Sequence, residues 1–270
     1  MAGNPLMRRR ILMVLAAAPL LPCKLVFATL PARPVTIGVL PGPHAEILAC
    51  VRDVAAAQGL DLRIVERSDG QAINADVTRG RLDAACFQDG VSFARDRARH
   101  GNELIEATRT VTQPVALYSR RITSPRQLGR GATLAIPRDP LLQARALVLL
   151  HNHGLVVLRD DAGLTATTRD VIGNRHQFRL DPLPAGRLAD ALYRVDLAVI
   201  DRPAAARAGL LPARDSIGVE DARTPWSDVL AVRAADRSAD WVGTLVASYR
   251  SEPVKRFILE RYQESVRRPW

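Results

Sequence analysis

The chain has 270 residues, 47% of them hydrophobic and 24% charged, which is ordinary globular composition and excludes a disordered or fibrous protein. Its net charge is +10, but the basic residues are mostly arginines interspersed with acids, and only 4% of residues are aromatic. With neither a Lys/Arg block nor a basic stripe carrying interleaved aromatics, nucleic-acid binding is disfavoured.

The first segment reads as a leader. Arg8, Arg9 and Arg10 precede a twelve-residue apolar run, Ile11 to Pro22, too short to span a bilayer. Two processing sites compete within a signal peptide of residues 1–28. Cleavage after Ala28 follows a small-x-Ala pattern, and Leu20-Leu21-Pro22-Cys23 has the form of a lipobox in which Cys23 would be acylated. Both routes lead out of the cytoplasm. Four of the ten net positive charges (Arg8, Arg9, Arg10 and Lys24) lie in this segment, leaving +6 for the remainder.

Strand and helix signals then alternate. Val35–Leu40 is a short buried strand, followed by apolar positions at helical spacing up to Gly59. Strands are expected at 62–65 and 82–87, with a helix at 72–79 between them, giving the β-α-β-α-β order of a parallel sheet. A second set has strands at 115–119 and 132–136, then a helix from Leu141 to Asn152 capped by Asp139 with Pro140 in its first turn. Further strands fall at 177–180, 197–200, 217–219 and 229–232, and helices at 240–249 and 253–262 close the chain. Nine or ten strands are expected. One continuous doubly wound sheet and two smaller sheets with a cleft between them both accommodate this count. In open α/β sheets ligands sit beyond the carboxyl ends of the strands, which points to the turns at 41–44, 87–89, 137–145 and 200–203.

No nucleotide-binding, esterase or metalloprotease motif occurs. His151 and His153 stand two residues apart, on different faces of a helix, so a metal site is disfavoured. No cofactor is expected. Cys50 and Cys86 lack metal-ligand spacing; export permits a disulfide between them, and two free thiols is the preferred reading.

Several segments together resemble the NlpA family of substrate-binding lipoproteins, whose best-known members bind methionine. They are Gly38-Val-Leu-Pro-Gly-Pro-His-Ala-Glu-Ile-Leu48, Leu82-Asp-Ala-Ala-Cys-Phe-Gln88, Leu117-Tyr-Ser-Arg-Arg-Ile122 and Gly131-Ala-Thr-Leu-Ala-Ile-Pro-Arg-Asp-Pro140. Arg145-Ala-Leu147, Asp196-Leu-Ala-Val-Ile200, Thr224-Pro-Trp226 and Arg268-Pro-Trp270 extend the match to the end. The resemblance covers roughly residues 34–270. It implies an α/β fold of periplasmic-binding-protein type, two lobes around a ligand cleft. Residues 34–114 plus 210–270 would form lobe one and 115–209 lobe two. It implies an extracytoplasmic solute-binding role for an ABC-type importer, without catalysis, with a small-molecule ligand, a permease partner and a membrane lipid anchor at Cys23.

The implied ligand site departs from the family pattern. Phe87, Gln88 and Arg145 keep the family's residues, and Arg145 stands where a guanidinium grips the ligand carboxylate through two parallel hydrogen bonds. Gly70, Asp89 and Ser92 replace Tyr, His and Tyr. Arg138 replaces Asn, Leu141 and Leu142 replace a Thr-Asn pair, and Asp201 and Asp228 replace asparagines. Ring surface is lost and charge gained, which points to a polar zwitterion rather than methionine. Arg138 is expected either to pair with Asp201 or Asp89 or to meet a counter-charge on the ligand. The alternatives are an enzyme on the same scaffold, with Asp89 or Asp201 as its base, and a membrane-surface sensory or scaffold lipoprotein.

Overall fold

The computed structural model describes residues 33–270. The leader, its two cleavage sites and Cys23 lie outside the described residues.

The first sheet grows from β1 (Val35–Val39), whose alternate side chains face opposite ways. Ile37 and Val39 are fully buried against α1 (Pro43–Ala57). Gly38, between them, faces Ile73 and Leu82. After β2 (Leu62–Glu66), α2 (Gly70–Thr78) crosses the other face and returns to β3 (Ala84–Asp89). The chain continues through α3 (Gly90–His100), β4 (Leu104–Arg109), β5 (Ala116–Tyr118), β6 (Thr133–Pro137) and α4 (Pro140–Asn152). A short antiparallel ribbon of β7 (Val157–Leu158) and β8 (Val171–Gly173) precedes β9 (Arg179–Leu183). Then come α5 (Leu188–Ala191), β10 (Leu197–Ile200), α6 (Arg202–Arg207), α7 (Pro212–Asp215), β11 (Ser216–Val219) and β12 (Asp228–Arg233). Helices α8 (Asp240–Tyr249) and α9 (Glu252–Tyr262) complete the fold.

Two five-stranded sheets result, ordered β2-β1-β3-β12-β4 and β11-β5-β10-β6-β9. In the first, β1, β2 and β3 run parallel and β12 runs antiparallel to both its neighbours. In the second, β10, β6 and β9 are parallel and β5 is antiparallel. Each sheet is covered on both faces. One core of the first sheet packs under α1, α8 and α9, and another under α2 and α3. The second sheet buries one face against α4 and the other against α5 and α6. This is the periplasmic-binding-protein arrangement of two lobes around a cleft. Two sheets, not one continuous sheet, are formed.

The chain crosses between sheets twice, after β4 and after β11. β11 pairs with β5 in the second sheet, so the return falls after Val219 and not near residue 210 as the sequence suggests. The C-terminal segment braces both crossings. Arg267 bridges to Thr112, its Nη1 donates to the Glu220 carbonyl (3.0 Å), and Trp270 Nε1 donates to the Thr110 carbonyl (2.6 Å).

Twelve strands are described, two or three more than expected. α3 and β4 carried no sequence signal because α3 buries only Phe93 and so shows no apolar stripe. End groups define that helix: Asp89 accepts from Val91 N and Ser92 N, and Gly101 closes it with φ 60°. β9 falls two to three residues later than expected and carries Pro182, which a ladder tolerates at a sheet edge. Cys50 and Cys86 are free thiols.

The close approach at Gly38 yields a stability prediction. A Cβ there would lie 2.6 Å from Ile73 Cγ2 and 2.6 Å from Leu82 Cδ1, both on buried core side chains. Gly38→Ala is expected to cost about 1–3 kcal/mol as overpacking, read as a lower urea midpoint at unchanged slope. An unchanged midpoint would show that α2 can shift away from β1.

Candidate functional site

The carboxyl ends of β1, β3 and β6 bring the first three expected turns together. Past β1, Gly42 adopts φ 110°, open to glycine, and Pro43 starts α1. This buries His44 in the first turn. Past β6, Asp139 caps α4 by accepting from Leu141 N (3.0 Å) and Leu142 N (3.1 Å). The second turn of that helix carries Arg145, which is 9% exposed.

Arg145 meets a carboxylate of its own chain. Its Nε donates to Glu220 Oε1 (2.9 Å) and Oε2 (3.1 Å), and one terminal nitrogen, Nη2, donates to Glu220 Oε2 and to the Gln113 carbonyl (2.9 Å). Trp226 lies beside it, with Cζ 5.9 Å from the ring centroid. The remaining terminal nitrogen, Nη1, has no partner among the described residues. Burial alone would lower the pKa of Arg145. The charge and hydrogen bonds of Glu220, with the nearby Asp89 and Asp228, raise it instead. Glu220 and the Gln113 carbonyl thus take the Nε and Nη2 donors that a two-pronged grip on a carboxylate would use.

His44 forms the second half of the cluster. Its Nε2 lies 3.3 Å from Asp228 Oδ2, the Gln113 amide nitrogen lies 3.0 Å from Nε2, and that nitrogen donates to Asp228 Oδ2 at 3.1 Å. Nδ1 faces the Cys86 thiol at 3.9 Å. Burial alone would lower the His44 pKa; the Asp228 charge and hydrogen bond, with Cys86 adding to them, more than offset this and push it up to about 10. The cluster joins both crossings, Gln113 from the first and Glu220 and Asp228 from the second.

A folded pKa of about 10 against an ordinary 6.5 gives stability fully present below about pH 6.5 and lost as pH rises through about 10. The stability difference between the native chain and His44→Asn is expected to shrink over that window in urea titrations. A difference independent of pH would contradict the buried ion pair.

The other expected site residues divide. Asp89 and Asp228 sit near Arg145, but Asp89 also holds α3: Oδ1 accepts from Val91 N and Ser92 N, and Oδ2 from the Ser92 hydroxyl (2.7 Å). Phe87 and Gln88 line a cavity of about 500 Å³ that also takes Leu141 from α4. Gln88 is tied to buried Asn74 by a reciprocal amide pair, 3.0 and 3.3 Å. Phe87 explains Gly70, because a Cβ at residue 70 would come within 2.5 Å of its ring. Arg138 is not drawn to the cluster. It is exposed and donates to the Pro182 carbonyl at 3.3 and 3.4 Å, and it pairs with neither Asp201 nor Asp89. Nor does Asp201 join the cluster: it caps α6 by accepting from Ala204 N (3.0 Å). Glu220, Gln113, Asn74 and the His44 pairing were not read from the sequence. Glu220 and Gln113 lie in irregular crossings, where no periodicity marks a buried polar residue.

Away from the cluster, His151 accepts from Leu158 N at the end of α4, and no group of three or more metal-ligating side chains occurs among the described residues.

Comparison with known proteins agrees with this architecture. The family described as NlpA lipoprotein matches residues 35–270. A protein of Vibrio cholerae named probable D-methionine-binding lipoprotein MetQ is 32% identical over 237 residues, covering 87% of this chain and 88% of its own. Lipoprotein 28 of Escherichia coli K12 is 32% identical over 228 residues, covering 83% and 84%. Among solved structures, a nutrient binding protein from Burkholderia cenocepacia bound to methionine superposes with a TM-score of 0.72 at 33% identity, covering 87% of this chain and all of that one. The two-sheet fold, the collinear match over residues 35–270 and relatives above 30% identity place this chain in the NlpA lipoprotein family.

Proposed function

We propose that this protein is the extracytoplasmic solute-binding component of an ABC-type importer, holding a small amino-acid-like ligand, methionine or a more polar zwitterion, between its two lobes. Family membership supports the role, and relatives carry names such as D-methionine-binding lipoprotein and ABC transporter periplasmic substrate-binding protein. The observation that carries the ligand class is the unpartnered Nη1 of Arg145 at the meeting of the lobes. Glu220 holds the guanidinium still, and Nη1 donates to the ligand carboxylate. Counting His44 and Arg145 as cations and Glu220, Asp89 and Asp228 as anions, the cluster carries one surplus negative charge. That surplus suits the ligand's ammonium.

Two crossings permit a hinge, and closure removes water from both charges of the ligand, which strengthens each interaction. The chain then presents its closed form to a permease. Binding proceeds without turnover: Asp89 and Asp201, the two carboxylates considered as bases, serve as helix caps. We place the protein outside the cytoplasm, in the periplasm or on the membrane through acylated Cys23. Mass spectrometry of small molecules released from the denatured, purified protein tests the reading. One amino-acid-like compound near unit stoichiometry is expected; recovery of a reaction product from an added compound would favour an enzyme.

A further inference from the structure

The cavity beside Arg145 has Phe87 and Leu141 as its apolar lining side chains; apart from Gly70, the other lining residues carry polar or charged groups. Its walls are α2 and α3, its base is the end of β3, and Leu141 of α4 closes it from the other lobe. Leu141 stands four residues before Arg145, so the two share one face of α4 and the cavity opens beside the carboxylate-binding end.

Along α3, residues 92, 95, 96, 99 and 100 form one helical stripe, and all five line the cavity. Asp96, in the middle, is committed. It accepts from Asn74 (2.8 Å) and Asn102 (3.1 Å) and pairs with His100 (3.0 Å). The other acid in the wall, Asp69, caps α2 by accepting from Gln71 N. Arg95 and Arg99 have neither a hydrogen-bond nor an ion-pair partner among the described residues, although both line the cavity. A second hollow of about 480 Å³ shares Gln71, Asn74, Asp96 and His100 with the first, so the groove continues between α2 and α3.

From these placements we infer that the ligand is an amino acid with a second anionic group on its side chain, met by Arg95 and Arg99 across the cavity from Arg145. This rests on the amino-acid-binding reading above and narrows it. The α-carboxylate would meet Arg145 Nη1, the ammonium the surplus acid, and the side-chain anion the two free guanidinium groups. A guanidinium recognises a carboxylate by paired N–H donors, and a closing cleft lowers the dielectric that would otherwise screen the contact.

Calorimetric titration of the full processed protein with glutamate, aspartate and methionine, each as both enantiomers, tests the inference. At least one acidic amino acid is expected to bind tenfold or more tightly than methionine. Arg95→Gln combined with Arg99→Gln is expected to remove that advantage over methionine, at least tenfold. Both side chains are exposed, so the variant is expected to fold, which circular dichroism checks. Methionine binding with no acidic preference overturns the inference alone. Acidic preference retained in the double variant overturns its placement on α3. Failure of every amino acid to bind overturns both this inference and the reading beneath it.

Discussion

Glu220→Ala is expected to destabilise the protein by about 3–5 kcal/mol, the cost of leaving a buried charge without its partner. Arg145 is 9% exposed, and three of its four hydrogen bonds within the protein end on Glu220. Removing that carboxylate strands a guanidinium between the sheets with one carbonyl, from Gln113, to receive it. The Thr224 hydroxyl, which donates to Glu220 Oε1 at 3.2 Å, and the Val115 amide, which donates to Oε2 at 3.3 Å, lose their acceptor as well. These groups lie on both crossings, so the damage is expected to loosen the relation between the lobes as well as lower the urea midpoint. Glu220→Gln, which keeps one acceptor oxygen, should cost less. A loss below about 1 kcal/mol for the alanine variant would mean that water reaches Arg145, and that it is not the desolvated anchor argued for above.

The second large effect concerns affinity. Arg145→Ala is expected to weaken binding of the native ligand by about 2–5 kcal/mol, roughly thirtyfold or more. The loss combines the missing Nη1 donors with a Glu220 carboxylate left facing the ligand's own. Arg145→Lys separates the contributions: charge is kept, but an ammonium cannot span Glu220, Gln113 and a ligand with the planar fork. It is expected to recover part of the affinity. Equilibrium dialysis below the melting temperature of each variant gives the numbers. Affinity unchanged in Arg145→Ala would remove the carboxylate anchor from the account.

Much of the fold was legible because burial left a pattern. β1, β3, β6 and β10 are short apolar runs, and α1 and α4 carry apolar residues at helical spacing, each opening on a proline, with an aspartate cap before α4. α3 was invisible for the opposite reason: its exposed face is arginine-rich, and a single phenylalanine holds it down. The site was legible only as a set of turns. Arg145, Asp89 and Asp228 lie near one another, whereas Asp201 and Arg138 are not drawn to them. What the sequence could not supply was the partner of Arg145. Glu220 is 75 residues away, beyond an irregular crossing, and nothing local distinguishes a buried glutamate from an exposed one. Arg138 misled because it replaces an Asn of the family's ligand-site pattern, while its side chain turns to the Pro182 carbonyl on the edge strand.

Binding of a free amino acid by the wild-type protein is the property on which its role turns. Calorimetric titration with a panel of amino acids, methionine included, is expected to give saturable one-to-one binding of at least one of them at micromolar affinity or tighter, with no change in the titrant afterwards. Methionine bound at micromolar affinity or tighter, ahead of every polar amino acid, would keep the transport role and contradict the altered specificity. No heat from any amino acid, or conversion of one, would contradict the solute-binding claim itself.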